Sequence, residues 1–340
     1  MSRVTRKLLP PPLVSVVIPI HDRADLISDA VQSCLLQENI PLEVLVVDDG
    51  SSDDLTSALT PFSEDGRVRL VRHGRNRGVS AARNSGVSAA RGDFVAFLDS
   101  DDAWRPAKLE KQLAHIASRS TPDFIVGTLT EIRFGGKVRK IRPKHRKPKH
   151  IALGDYLFVH RVQRQLSEVD WQGASLKGGC FAQTSSLLLP TELAASTPFR
   201  TALDQYEDIA FLLDLDRKGV DFLLVEEPLT LQNDDDRPGR LGAVDDVARG
   251  MRFLDAVGSA LSPDACLAFE STHLAHLYGK DQPARVIGLA LKAYCRGAIA
   301  PKSVFGILSR SLIGQTSQKA LRDRLEAGRW LSHDVSTDAR

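Results

Sequence analysis

Apolar positions in the first hundred residues switch between two spacings. Residues 14–20 form a β-branched apolar run interrupted only by Pro19, too short to cross a membrane and bounded by turn-forming residues, which predicts a buried strand. Residues 43–47, 67–72 and 93–98 predict three more strands. Between them the period lengthens: residues 25–36 put Leu26, Ala30, Val31, Cys34 and Leu35 on one helical face. Residues 53–58 begin a second helix and residues 84–90 continue a third. Strands alternating with helices through short loops predict an α/β fold, a mostly parallel central sheet flanked by helices. Such sheets bind ligands at the carboxyl ends of their strands.

The last third is different, with helical periodicity over residues 243–261, 263–278, 283–297 and 317–331 and Ser262 before Pro263 as a helix start. The expected organisation is a flexible N-terminus (1–12), an α/β domain (13–240, with halves 13–120 and 121–240) and a helical C-terminal extension (241–340). An apolar content of 42% in 340 residues suits a sizeable core, and a net charge of +2 argues against a generic polyanion binder. The four cysteines are far apart and never paired as Cys-x-x-Cys, which argues for reduced thiols and against structural zinc. The first residues are basic and broken by Pro10, Pro11 and Pro12 before any long apolar run, so no signal peptide is expected. A cytoplasmic chain, soluble or peripherally attached to a membrane, is the expectation.

Two acidic clusters end two of the strand-like runs: Asp48-Asp49-Gly50-Ser51 and Asp99-Ser100-Asp101-Asp102. Carboxylates suit a hard divalent ion such as Mg²⁺ or Mn²⁺, which bridges diphosphate oxygens. Alternate residues leaving a strand end point the same way, so Asp99 and Asp101 can face one site across Ser100. The competing reading, an acidic N-cap for a helix at residues 105–107, fits Asp102 better than Asp101. Asp48 and Asp49 can accept from uracil N3–H or ribose hydroxyls, with Gly50 allowing a sharp turn. Alternatively they form a strand-end turn before a Ser51 helix cap.

In order, the chain carries Val16-Val17-Ile18-Pro19-Ile20-His21-Asp22-Arg23, Val47-Asp48-Asp49-Gly50-Ser51-Ser52-Asp53, Asn76-Arg77-Gly78-Val79-Ser80-Ala81-Ala82-Arg83-Asn84, Phe97-Leu98-Asp99-Ser100-Asp101-Asp102 and Tyr206-Glu207-Asp208. Over residues 13–235 this order resembles the inverting family 2 glycosyltransferases of the GT-A fold, of the bacterial polysaccharide-biosynthesis type. Two departures stand out. Asp22 replaces a more usual Asn, and Gln232-Asn233-Asp234-Asp235-Asp236-Arg237 replaces a Tyr-Arg-x-His type segment. The resemblance implies Asp101 as metal ligand, with Asp99 and Ser100 at the donor. Pro19, Ile20, His21 and Asp22 would line the nucleotide pocket, and Arg83 would meet the diphosphate. Asp208 would be the catalytic base, with Glu207 supporting it or binding acceptor. The implied reaction moves a sugar from a nucleotide-diphosphate donor, expected to be a UDP-sugar, to a saccharide or lipid-linked saccharide in one inverting displacement. Residues 178–186 are expected opposite the base. Trp104 and Trp171 either stack on sugars or join the core. His21 is otherwise an ordinary loop histidine, and Arg83 otherwise a surface ion-pair partner.

Between residues 133 and 150 nine Lys and Arg residues and two histidines lie together with no intervening acid. They read either as a solvated strand pair and loop or as a surface for anionic lipid or a diphosphate-bearing acceptor. The segment 286–296 adds Lys292 and Arg296 beside Ile287, Leu289 and Leu291, as an interfacial helix does. No Gly-x-Gly-x-x-Gly follows the first strand, which argues against a dinucleotide-dependent enzyme. A nucleotidyltransferase and a non-catalytic sugar- or polyanion-binding module are the competing functions. No nucleic-acid partner is expected.

Overall fold

The structure is a computed structural model and describes residues 12–117, 119, 123–169, 183–234, 246–278 and 282–312. The described residues of Met1–Leu157 and Leu166–Ala243 form one compact unit, and those of Phe158–Gln165 and Val244–Arg340 a second.

The first unit opens with four parallel strands, β1 (Val14–Ile20), β2 (Leu42–Asp48), β3 (Val68–Arg72) and β4 (Phe94–Phe97), joined through helices α1 (Ile27–Leu35), α2 (Leu55–Leu59) and α3 (Val79–Ala89). Every residue of β1 and β2 is buried, as expected for parallel strands covered on both faces. The register Ile20↔Asp48 brings the ends of β1 and β2 level, and β4 lies on the other side of β1. Helix α1 begins at Ile27 and buries Ile27, Ala30, Val31 and Cys34, while Leu26 and Leu35 are half-buried at the margin of the predicted face. Next come β5 (Asp102–Trp104), α4 (Lys108–Ile116), β6 (Phe124–Phe134), β7 (Lys137–Arg142) and the short helix α5 (Leu153–Phe158); α6 (His160–Gln163), which follows it in the chain, belongs to the second unit. Then follow β8 (Leu188–Pro190), α7 (Thr191–Ser196), α8 (Glu207–Arg217) and β9 (Asp221–Asn233). The sheet order is β3-β2-β1-β4-β8-β6-β9-β5, with β7 paired to β6. Along one edge of β6, β8 pairs at Val126 and β7 takes over from Thr130, which pairs with Arg142.

This topology brings the two acidic strand ends together. Asp49 follows β2 and Asp99 follows β4, on either side of β1. Gly50 completes the first turn with φ of +76°, and a Cβ there would lie 2.5 Å from the Arg75 backbone, so only glycine fits. Helix α8 is anchored from below: Phe199 stacks on Phe211 at 4.1 Å between ring centroids and meets Phe97 edge-on at 5.2 Å.

Among its described residues the second unit contains α6 and five further helices, α9 (Val247–Val257), α10 (Pro263–Phe269), α11 (Ala275–Tyr278), α12 (Pro283–Cys295) and α13 (Pro301–Leu312), with a π-helical turn Glu270–Leu274 between α10 and α11. Ser262 caps α10 by accepting from the Ala265 N–H at 3.0 Å, as its place before Pro263 predicts. Residues 158–165 are stitched in by His160 N–H to Ala298 C=O and Arg161 N–H to Gly297 C=O, and Asp264 pairs with both Arg161 and Arg296. Val286, Ala290 and Ala293 of α12 are buried, whereas Ile287, Leu291 and Tyr294 are exposed, as is Phe305 of α13 at 70%. The predicted helix at residues 317–331 lies outside the described residues.

Candidate active site

At the carboxyl ends of β1 and β4 lies a cleft of about 480 Å³, lined by Pro19, Ile20 and His21 and by Asp99, Ser100, Asp101, Glu207 and Asp208. The residues expected from the sequence do not enter it equally.

Asp49 lines the cleft, but its carboxylate is spent on the loop it belongs to. It accepts from Gly78 N–H at 2.7 Å, from Arg77 N–H at 3.0 Å and contacts His73 Nδ1 at 2.6 Å; His73 Nε2 in turn contacts Ser85 Oγ at 2.8 Å. Asp49 therefore fixes the turn that starts α3. Asp48 and Asp22 are not among the lining residues. Asp48 is buried, accepts from Ser51 N–H at 2.8 Å and lies 3.5 Å from Arg72 Nε. Asp22, in a left-handed conformation with φ of 50°, accepts from Ser52 N–H at 2.6 Å and Ser52 Oγ at 2.9 Å, tying the β1 loop to the β2 loop. Those bonds hold its carboxyl below the usual range. The α2 cap is Asp54, which accepts from Ser57 N–H, and Ser51 instead accepts from Asp22 N–H.

The second acidic cluster divides its labour by residue. Asp99 accepts from Arg83 at 2.8 Å, and Asp101 from Arg23 at 2.8 Å. Asp102 is buried in β5 and accepts from Ser185 Oγ at 2.6 Å and Gln183 Nε2 at 2.9 Å. It caps no helix: α4 starts at Lys108, after Ala107, which makes no side-chain cap.

Arg83 is no surface residue: it is 3% exposed, lines the cleft and gives its two terminal nitrogens to Asp99 and to Glu207 Oε1 at 2.9 Å, while its buried Nε has no hydrogen-bond partner among the described residues. Burial alone would lower the guanidinium pKa, and the two carboxylates more than reverse this. Arg83 thus acts as a strut between the β4 end and the first turn of α8. Tyr206, which precedes that turn, is left-handed with φ of 62°, a conformation costly for a bulky residue and one that directs the chain into Glu207 and Asp208. Asp208 is pushed up to about 7 by burial first and by the neighbouring Glu207 second, with Arg83 opposing. A carboxyl that ionises near neutrality in a cleft has the pKa of a general base.

Trp104 is a core residue, 4% exposed, donating from Nε1 to Ser185 C=O at 2.7 Å with Lys108 Nζ 3.9 Å from its ring centroid, so it offers no face to a sugar. Trp171 and residues 178–182 lie outside the described residues. Residues 184–186 form a short 3-10 turn whose Thr184 lines the cleft.

Residues 15–171 match the family model described as Glycosyl transferase family 2. Those residues form a family 2 glycosyltransferase domain. The glycosyltransferase is 26% identical over 288 residues to the amylovoran biosynthesis glycosyltransferase AmsB of Erwinia amylovora, an alignment spanning 82% of this chain and 89% of AmsB. It is 40% identical over 102 residues to the UDP-Glc:alpha-D-GlcNAc-diphosphoundecaprenol beta-1,3-glucosyltransferase WfgD of Escherichia coli, spanning 30% of this chain and 40% of WfgD. Its fold is that of the crystal structure of S. aureus TarS 1-349 in complex with UDP-GlcNAc, at a TM-score of 0.59 and 15% identity over 87% of this chain and 85% of that one. The fold is GT-A, with C-terminal helices.

Three further side chains line the glycosyltransferase's cleft: Gln183, within the 178–186 stretch expected opposite the base, Gln232, which opens the departing 232–237 segment, and Arg142, to which sequence reading assigns no individual role. Arg142 was hidden among the other basic residues of the 133–150 stretch, and that stretch is not a continuous cationic face. Arg133 pairs with Glu131, Lys144 with Glu168, Arg146 with Glu226, Lys147 with Asp216 and Lys149 with Asp221. Except for Glu131, two residues from Arg133 on β6 and just ahead of the stretch, the neutralising acids come from elsewhere in the chain, which no local charge count can see.

Proposed function

We propose that the chain transfers a sugar from a nucleotide-diphosphate donor, a UDP-sugar, to a saccharide or lipid-diphosphate-linked saccharide in the synthesis of a bacterial surface polysaccharide, inverting the anomeric centre. The carrying observation is that Asp208, with its raised pKa, shares one cleft with the Asp99-Ser100-Asp101 motif. The polysaccharide context is supported by AmsB, the lipid-diphosphate acceptor by WfgD, and the UDP-sugar by WfgD and the TarS complex.

In the mechanism, ionised Asp208 takes the proton of the acceptor hydroxyl as that oxygen bonds to the anomeric carbon and the bond to the diphosphate oxygen breaks on the opposite face. No enzyme nucleophile is needed, and inversion follows. Glu207, held by Arg83, keeps Asp208 basic through its negative charge. Pro19, Ile20 and His21 form the wall for the nucleotide.

Among the described residues no three acidic, His or Cys side chains converge as metal ligands. The donor set fits a metal shared with substrate: Asp101 supplies a carboxylate oxygen in the cleft, already facing a cation in Arg23, and Mg²⁺ or Mn²⁺ commonly takes its remaining ligands from phosphates and water. When bound there, such an ion would neutralise charge developing on the departing diphosphate. Incubation with a panel of nucleotide sugars, with Mn²⁺ or with a chelator, tests the reading. UDP release from one donor, lost on chelation, is expected; no release from any donor would favour a binding module.

Peripheral membrane contact is a second reading. The pairing of the 133–150 stretch weakens its basis there, while the exposed Ile287, Leu291, Tyr294 and Phe305, with Lys292 and Lys302 also exposed, favour it. Among the described residues no helix is long and apolar enough to cross a membrane. Co-sedimentation with liposomes is expected to persist at high salt if these apolar groups insert, and to fall with salt if basic residues dominate. Equal recovery in the supernatant under every condition would remove the reading.

A further inference from the structure

Three arginines line the cleft beside six carboxylates. Two of them are spent: Arg23 on Asp101, and Arg83 on Asp99 and Glu207. Two carboxylates are spent as well, Asp49 on backbone N–H groups and His73, and Asp102 on Ser185 and Gln183.

Arg142 alone of the three has no carboxylate partner among the described residues. Its side chain donates to Gln232 Oε1 at 2.9 Å and to Gln183 Oε1 at 3.2 Å. Neutral amide oxygens orient a guanidinium without cancelling its charge. The orientation is over-determined. Gln183 gives its oxygen to Arg142 and its Nε2 to Asp102, so a flipped amide would set N–H against guanidinium and oxygen against carboxylate. Gln232 sits directly opposite Asp102 in the β5–β9 ladder, and Arg142 ends β7, where Pro143 cannot continue the pairing. Two glutamines therefore brace Arg142 against the residue next to Asp101.

Keeping a partly buried cation oriented with no carboxylate bonded to it is costly, and part of that cost is recovered when an anion binds. We propose that Arg142 is the cleft's phosphoryl-binding side chain, its guanidinium held by Gln183 and Gln232 to receive a diphosphate oxygen of the substrate. The inference rests on the glycosyltransferase reading above, in which a diphosphate departs from the donor and another can link the acceptor to lipid. A planar guanidinium suits phosphate oxygens better than a point charge, and Arg83 already gives both terminal nitrogens to Asp99 and Glu207 whereas Arg142 gives none to a carboxylate among the described residues. Burial holds the Arg142 pKa below its ordinary value, opposed by Asp208, Asp102 and Asp234.

Calorimetric titration of Arg142→Gln and Arg142→Lys, each checked by thermal melting, with UDP, UMP, uridine, inorganic pyrophosphate and geranyl diphosphate tests the proposal. Arg142→Gln should weaken binding of a diphosphate by about tenfold to a hundredfold, the scale of a charge-assisted contact, and leave uridine unchanged. Arg142→Lys should recover part of the loss. Weakening of UDP with geranyl diphosphate unaffected assigns the donor diphosphate, and the converse assigns the acceptor's. Unchanged binding of every probe, or weakening of uridine to the same extent as UDP, would overturn the proposal. Wild-type protein that binds pyrophosphate but not UDP would count against the UDP-sugar reading alone, and pyrophosphate then judges Arg142.

Discussion

Asp208→Asn is expected to lower turnover by about a hundredfold or more while leaving UDP affinity within about twofold, because the carboxylate serves the acceptor hydroxyl and not the nucleotide. The amide keeps the shape of the side chain and an oxygen able to accept from Ile209 N–H, as Asp208 does at 2.7 Å. What disappears is a base whose pKa, about 7, lies near neutrality. For the wild type, kcat/KM should rise with pH through about 7 and flatten above it, since only the ionised form accepts the proton. Stability should run the other way. A carboxyl raised from 3.8 to about 7 binds its proton more tightly when folded, so its contribution is complete below about pH 4 and is lost as pH rises through about 7. The Asn variant carries no such slope. It should match the wild type near pH 4 and exceed it above pH 7 by at most about 4 kcal/mol, less where the cleft admits water. Turnover near the wild-type level would move the base to Glu207.

The parallel half of the fold was legible because each of its strands is a short β-branched run between turn residues, and burial on both faces demands that pattern. The antiparallel additions were less so. β5 has three residues and β8 has three, too short for any period to register. The acidic clusters were readable as a site because carboxylates concentrated at strand ends are expensive without a ligand or a partner. Their individual duties were not. Asp22, Asp48 and Asp49 look equivalent to Asp99 and Asp101 in sequence, yet each binds loop groups across gaps of 3 to 30 residues. Long-range pairing likewise separates Arg142 from Arg146 and Lys147, which find acids on β9 and α8. The left-handed Tyr206 leaves no trace in composition, since the strain resides in the backbone.

Asp101→Ala is expected to abolish transfer and to remove the Mn²⁺-dependent part of donor affinity, with little change in melting temperature. The side chain is 20% exposed, and its ion pair with Arg23, itself 26% exposed, is of the partly solvated kind that contributes about 0–1 kcal/mol. Asp102→Ala makes the contrasting control. That carboxylate is buried and accepts from Ser185 Oγ and Gln183, so its loss leaves one buried and one half-buried donor unsatisfied and should lower stability by about 2 kcal/mol. Two adjacent aspartates should thus fail in different measurements, one in ligand titration and the other in the melt. Removing Asp101 also releases Arg23 into the cleft, where its positive charge could retain some UDP affinity without metal. Titration of UDP with Mn²⁺ and with chelator separates the two contributions: the variant should show the same affinity in both. An Asp101→Ala protein whose UDP affinity still rises with Mn²⁺ would place the metal on other ligands, with Asp99 the first to examine, because its 32% exposed side chain lies in the same cleft, held by Arg83.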